Sequence, residues 1–90
     1  MKERAIIEVL FRDKPFMVLN ALRNSIGRIN ASEVARQAKC TYSHTHKTLM
    51  LFEENRLVSF DRSGARPIIS LTEKGNQLAE GVETTKFHLS

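Results

Sequence analysis

Within six residues the chain places Tyr42, Ser43, His44, His46 and Lys47. These side chains supply hydroxyl, imidazole and ammonium donors beside one aromatic ring, a set suited to a surface rich in hydrogen-bond acceptors and negative charge. A second basic group follows at Arg62, Ser63 and Arg66, where two cations bracket a small Ser63-Gly64 pair. Arg28, Arg36 and Lys39 precede the first group and add three more cations. Catalytic chemistry is not suggested. His44 and His46, two apart on a helix, would point to nearly opposite sides, and no Cys-x-x-Cys or Glu-helix pattern joins them, so no zinc site is expected. The sequence has no Gly-rich phosphate loop, Ser-His-Asp pattern or paired-carboxylate cleft, and neither an enzyme nor a cofactor is expected.

The charge balance agrees with a polyanionic partner without identifying one. Fourteen Lys and Arg stand against ten Asp and Glu, for a net charge of +4, and the excess is uneven. Residues 1–27 carry five basic and three acidic side chains, residues 28–66 seven and four, and residues 67–90 two and three. Ninety residues make one domain at most, burying about 60 to 65% of the unfolded surface, so help from a partner subunit would be unsurprising. The single Cys40 cannot form an internal disulfide and fits a reducing compartment. No apolar run approaches the roughly 20 residues that span a bilayer, so no membrane association is expected and the chain is placed in the cytoplasm.

The elements that must position the polar groups follow from spacing and caps. Residues 4–11 are apolar too evenly to separate helix from strand, with a lean to helix. Pro15 suits the first turn of a helix in which Phe16, Leu19, Leu22 and Ile26 recur at helical spacing, ending near Gly27. Arg28, Ile29 and Asn30 read as an extended link. Asn30 or Ser32 then caps a helix with Val34, Ala35 and Ala38 inside, and Lys39 and Cys40 make a turn. Thr41 caps a helix running to about Asn55, with Thr45, Leu49 and Phe52 buried and Tyr42, Ser43, His44, His46 and Lys47 outside. Residues 57–61 and 67–71 are short β-segments joined by a five-residue, Gly-containing loop. Thr72 caps a last helix with Leu78 and Val82 apolar, which Gly75 and Gly81 weaken.

The expected fold class is mainly α with a small β-hairpin, an α+β winged helix-turn-helix: one domain over 1–90, with the helix-turn-helix at 31–55 and the wing at 57–71. Residues 30–75 resemble the winged helix-turn-helix of MarR-like and related archaeal and bacterial transcriptional regulators. Carrying the resemblance are Asn30-Ala31-Ser32-Glu33-Val34-Ala35, Thr41-Tyr42-Ser43-His44-Thr45-His46-Lys47-Thr48-Leu49, Phe52-Glu53-Glu54-Asn55-Arg56-Leu57-Val58 and Leu71-Thr72-Glu73-Lys74-Gly75. Two departures stand out. The family usually has Gly where Arg56 stands, at a left-handed exit from the recognition helix, and an apolar residue where Thr45 stands. MarR-type repressors are also longer, with terminal helices for dimerisation and a ligand pocket between domains. This chain has little room for either, so no small-molecule ligand is expected.

The resemblance implies a sequence-specific regulator binding double-stranded DNA as a homodimer. On that reading Tyr42 and Ser43 reach base edges and Lys47 holds a phosphate. His44 and His46 would strengthen binding when protonated, below about pH 6.5. Arg62, Ser63 and Arg66 anchor the wing on backbone or minor groove, while Arg28, Arg36 and Lys39 add backbone contacts. Cys40, just before the recognition helix, stands where a small buried apolar residue is usual, and redox sensing is not expected of it. Residues 1–13 and 76–90 would dimerise through Ile6, Ile7, Leu10, Leu78, Val82, Phe87 and Leu89, although these can equally cap the core. With DNA as its partner the chain is expected to be nucleoid-associated in a prokaryote or archaeon; the alternatives are an architectural or chromatin protein that contacts phosphates without reading sequence, and a winged helix used as a protein-interaction module.

Overall fold

A computed structural model describes Ile6, residues 12–25 and residues 29–89. In chain order these form α1 (Asp13–Asn24), α2 (Ala31–Ala38), α3 (Tyr42–Glu54), β1 (Val58–Asp61), β2 (Ile68–Leu71) and α4 (Glu73–Leu89). The α+β class and the order of elements are those expected from the sequence. Ile6 is helical and buried; the other residues of 4–11, together with Ile26, Gly27 and Arg28, lie outside the described residues.

Each helix of the helix-turn-helix starts where a side chain can accept an otherwise unpaired N–H. Asn30 is the cap of α2: its side chain accepts from the Glu33 N–H at 3.0 Å, and the Glu33 carboxylate accepts from the Asn30 N–H at 3.1 Å. Thr41 caps α3 by accepting from the His44 N–H at 3.1 Å. Both helices also end alike, in the two-bond Schellman arrangement. At the end of α2, Cys40 N–H donates to Ala35 O and Lys39 N–H to Arg36 O; at the end of α3, Leu57 N–H donates to Phe52 O and Arg56 N–H to Glu53 O. The turn requires a left-handed residue, supplied by Lys39 (φ 56°) and Arg56 (φ 61°). Arg56 therefore adopts the conformation that glycine would hold with less strain, while Lys39 is a second such position that the sequence does not announce.

The apolar spacing sends α1 to the centre of the molecule, where it packs on α2, α3, α4 and β2. Val18, Leu19, Val34, Leu49, Phe52, Leu57 and Ile69 are almost wholly buried in one cluster. Leu57 and Phe52 are respectively the last donor and acceptor of the α3 exit, so the turn is closed by an apolar contact as well as by hydrogen bonds. Thr45 is also fully buried, as its spacing predicts, but its Oγ1 has no hydrogen-bond partner among the described residues.

The hairpin differs from the sequence reading at both ends. Its antiparallel register pairs Val58 with Leu71 and Asp61 with Ile68, which leaves a six-residue loop, 62–67, instead of five. Pro67 has no N–H for the ladder, and the Leu57 N–H is already used by the α3 exit. The link before α2 also joins the sheet, because Ile69 N–H donates to Ile29 O at 2.8 Å.

Thr72 ties the wing to the helices. Its N–H donates to Leu57 O, its hydroxyl donates to Arg56 O, and the same oxygen accepts from the Gly75 N–H to cap α4. Gly75 is there for close approach: a Cβ on it would fall 2.0 Å from Leu57 O. In α4, Val82 and Ala79 are in the core and Leu78 packs partly against it. Ile6 and Val82, expected on a dimer face, thus cover the core instead, the other use the sequence allowed. Ile7 and Leu10 lie outside the described residues, as do the side chains of Phe87 and Leu89.

Candidate nucleic-acid interface

The outer face of α3 follows from its buried one. At about 100° per residue, burying Thr45, Leu49 and Phe52 turns Tyr42, His46 and Met50 to one side of the exposed arc and Ser43 and Lys47 to the other. Tyr42, Ser43, His46 and Lys47 are all exposed, Tyr42 by 56%. Tyr42 and His46, one turn apart, stack with ring centroids 6.1 Å apart and planes 18° from parallel. His44 differs from the expectation. It sits near the buried Thr48, whose hydroxyl donates to His44 O, and its ring is half-buried with Nε2 covered and unpaired among the described residues. Its side chain is consequently less available to a ligand than that of His46.

Between α3 and the wing lies an open cleft of about 400 Å³. Tyr42, His46 and Met50 form its α3 wall, Phe60, Arg62, Arg66 and Pro67 its wing wall, and the start of α2 at residues 30–32 closes one end. Four of the site residues named from sequence thus meet at one cleft: Tyr42, His46, Arg62 and Arg66. Ser43, Lys47, Arg36 and Lys39 are exposed but do not line it; Arg28 lies outside the described residues. Sequence reasoning missed Met50 and Phe60. Met50 could have been found by extending the Tyr42 and His46 spacing by one further turn.

The wing spends much of its polarity internally. Arg62 Nη1 and Nη2 donate to the two carboxylate oxygens of Glu53 on α3, at 3.1 and 3.2 Å. The guanidinium carbon also lies 4.5 Å from the centre of the Phe60 ring. These hydrogen bonds, above all, hold the Arg62 group above its usual pKa. A raised folded-state value stabilises at every pH below the unfolded one and is lost only as pH passes the folded one, far on the alkaline side. Ser63, though exposed, is likewise engaged within the wing, its N–H and hydroxyl both donating to Asp61 Oδ1, at 3.0 and 2.6 Å. Arg66 is exposed at the cleft and has no ion pair among the described residues. Cys40 is half-buried, its thiol donating to Ala38 O at 3.4 Å.

Among the described residues no three His, Cys, Asp or Glu side chains gather as a metal site, and no helix is long and apolar enough to cross a membrane.

An exposed second helix beside an antiparallel hairpin defines a winged helix-turn-helix domain. No protein-family model and no curated protein matches the chain by sequence, but solved structures match its fold. AF1382 from Archaeoglobus fulgidus aligns at TM-score 0.79 and 23% identity over 93% of this chain and 96% of its own. TubR from Bacillus thuringiensis serovar israelensis pBtoxis, bound to 24 bp of tubC, aligns at 0.76 and 20% over 91% and 92%. The MarR family transcriptional regulator SPO1453 from Silicibacter pomeroyi DSS-3 aligns at 0.68 and 20% over 86% and 55%. Likeness at these identities establishes the winged-helix fold and extends it well beyond residues 30–75.

Proposed function

We propose that the chain is a sequence-specific, double-stranded DNA-binding transcriptional regulator, acting in the cytoplasm as a homodimer. The observation that carries this reading is the exposed N-terminal half of α3, whose Ser43 and Lys47 side chains have no partner among the described residues, beside a wing that offers Arg66. A helix of this kind fits the major groove, where Tyr42 and Ser43 meet base edges and Lys47 a phosphate. His46 and Arg66 face the backbone across the cleft, and Arg36 and Lys39 add phosphate contacts outside it. TubR, a neighbour in fold, is seen on a DNA duplex, which supports the same partner here. Dimerisation rests on the habit of helix-turn-helix proteins of pairing half-sites, through the terminal segments 1–13 and 76–90.

Fluorescence anisotropy with random and genomic duplexes over a salt series tests the reading. The expected result is binding whose log–log salt slope counts several phosphate contacts, at about 0.9 each, with some genomic duplexes preferred over random ones. Equal affinity for every duplex would instead indicate an architectural protein. No binding at low salt would turn the reading to protein interaction.

A further inference from the structure

Arg62 is the wing cation nearest to α3, and its hydrogen-bonding fork is already engaged. Val58, Phe60 and Arg62 alternate onto one side of the wing. Val58 is buried, Phe60 half-buried and Arg62 exposed, so this side rises from the core towards solvent. Glu53 lies on α3 eleven residues after Tyr42, on the same side of the helix as Tyr42, His46 and Met50. The two carboxylate oxygens and two guanidinium nitrogens meet in parallel, with Phe60 packed against the guanidinium. A planar fork stacked on a ring fixes orientation as well as distance, which a lysine cannot do. The pair therefore bridges the two walls of the cleft, on residues that line it or adjoin it.

We propose that Arg62 and Glu53 are positioning residues: together with Phe60 they latch the wing to α3 and set the width of the cleft, and Arg62 is not itself a phosphate contact. The proposal rests on the DNA-binding reading for its effect on affinity, but the latch is a property of the free protein. The wing's phosphate cation is then Arg66, and Arg62 adds no net charge to the face because Glu53 cancels it. While the pair is closed, Glu53 occupies the Nη1/Nη2 edge of the guanidinium, and only Nε–H and the remaining Nη hydrogens are left for a ligand.

Two readouts test this on the full chain. The first is the backbone ¹⁵N order parameter of residues 62–66 in the absence of DNA. Arg62→Ala should lower it from about 0.8 towards 0.6. Arg62→Lys, which keeps the charge but not the fork, should lower it as well. The double variant Glu53→Arg with Arg62→Glu, which reverses the pair without changing net charge, should restore it. The second readout is duplex affinity and salt slope. Arg62→Ala should weaken binding about threefold to tenfold with no loss of slope, and the reversed pair should return to within about twofold of the original protein. An unchanged order parameter in Arg62→Ala overturns the latch. So does a reversed pair that restores wing order but stays as weak as Arg62→Ala with the slope reduced by about 0.9, since Arg62 would then be touching phosphate directly. If the original protein binds no duplex yet the order parameters fall and recover as stated, the DNA-binding reading fails and the latch stands.

Discussion

The exposed face of α3 and the wing carry similar side chains but dispose of them differently. On α3, Ser43 and Lys47 point outward without a side-chain partner among the described residues, and Tyr42 and His46 stack on each other. On the wing, Arg62 is held by Glu53 and Phe60, and Ser63 by Asp61. Among the described residues, Arg66 alone of the three wing residues named from sequence has no such tie. Residue type thus states what a group can bind, while its neighbours decide whether the group is available. The two regions divide along that line, the wing cation Arg62 being fixed by its neighbours and the α3 face left open.

Both regions depend most on the junction they share. Gly75→Ala would drive a Cβ into Leu57 O, at the point where Thr72 joins the α3 exit to the wing. We expect a loss of about 3 kcal/mol, seen as a fall of more than about 12 °C in Tm. An unaltered Tm would mean the junction yields easily. Next in size, Ser43→Ala or Tyr42→Ala should cost about 1–3 kcal/mol on a preferred duplex and much less on a random one, measured by competition anisotropy. Equal losses on both duplexes would assign these side chains to the backbone.

Two smaller effects concern the scaffold under α3. Thr45→Val replaces a buried, unpaired hydroxyl by a methyl of similar size, and should stabilise by about 1 kcal/mol in urea denaturation with an unchanged m-value. Arg56→Gly relieves a left-handed residue and should add about 0.5–1 kcal/mol, less than the full strain because glycine is freer in the unfolded chain. A destabilised Arg56→Gly would show that the arginine side chain contributes more than its backbone strain costs.

Much of this frame was legible in the sequence because its signals are local. Asn30, Thr41 and Thr72 sit where caps must sit, and Thr45, Leu49 and Phe52 show a buried face whatever surrounds them. The left-handed exit at Arg56 was legible through resemblance to a family that places glycine there. Other features depend on tertiary contact. Glu53 meets Arg62 only because the α3 exit reverses the chain between them, and no spacing rule pairs residues nine apart in that way. Gly75 reads as a weak helix position until the Leu57 carbonyl is seen against it. His44 belongs to the exposed arc by residue type, yet its Nε2 is covered.

Whether Lys47 on α3 and Arg66 on the wing grip a duplex is decided by the salt dependence of binding in Lys47→Ala, Arg66→Ala and the double variant. Each single substitution should reduce the log–log slope by about 0.9 and the double variant by about 1.8, to a similar extent on every duplex. Slopes equal to that of the unsubstituted protein in all three variants would contradict the claim.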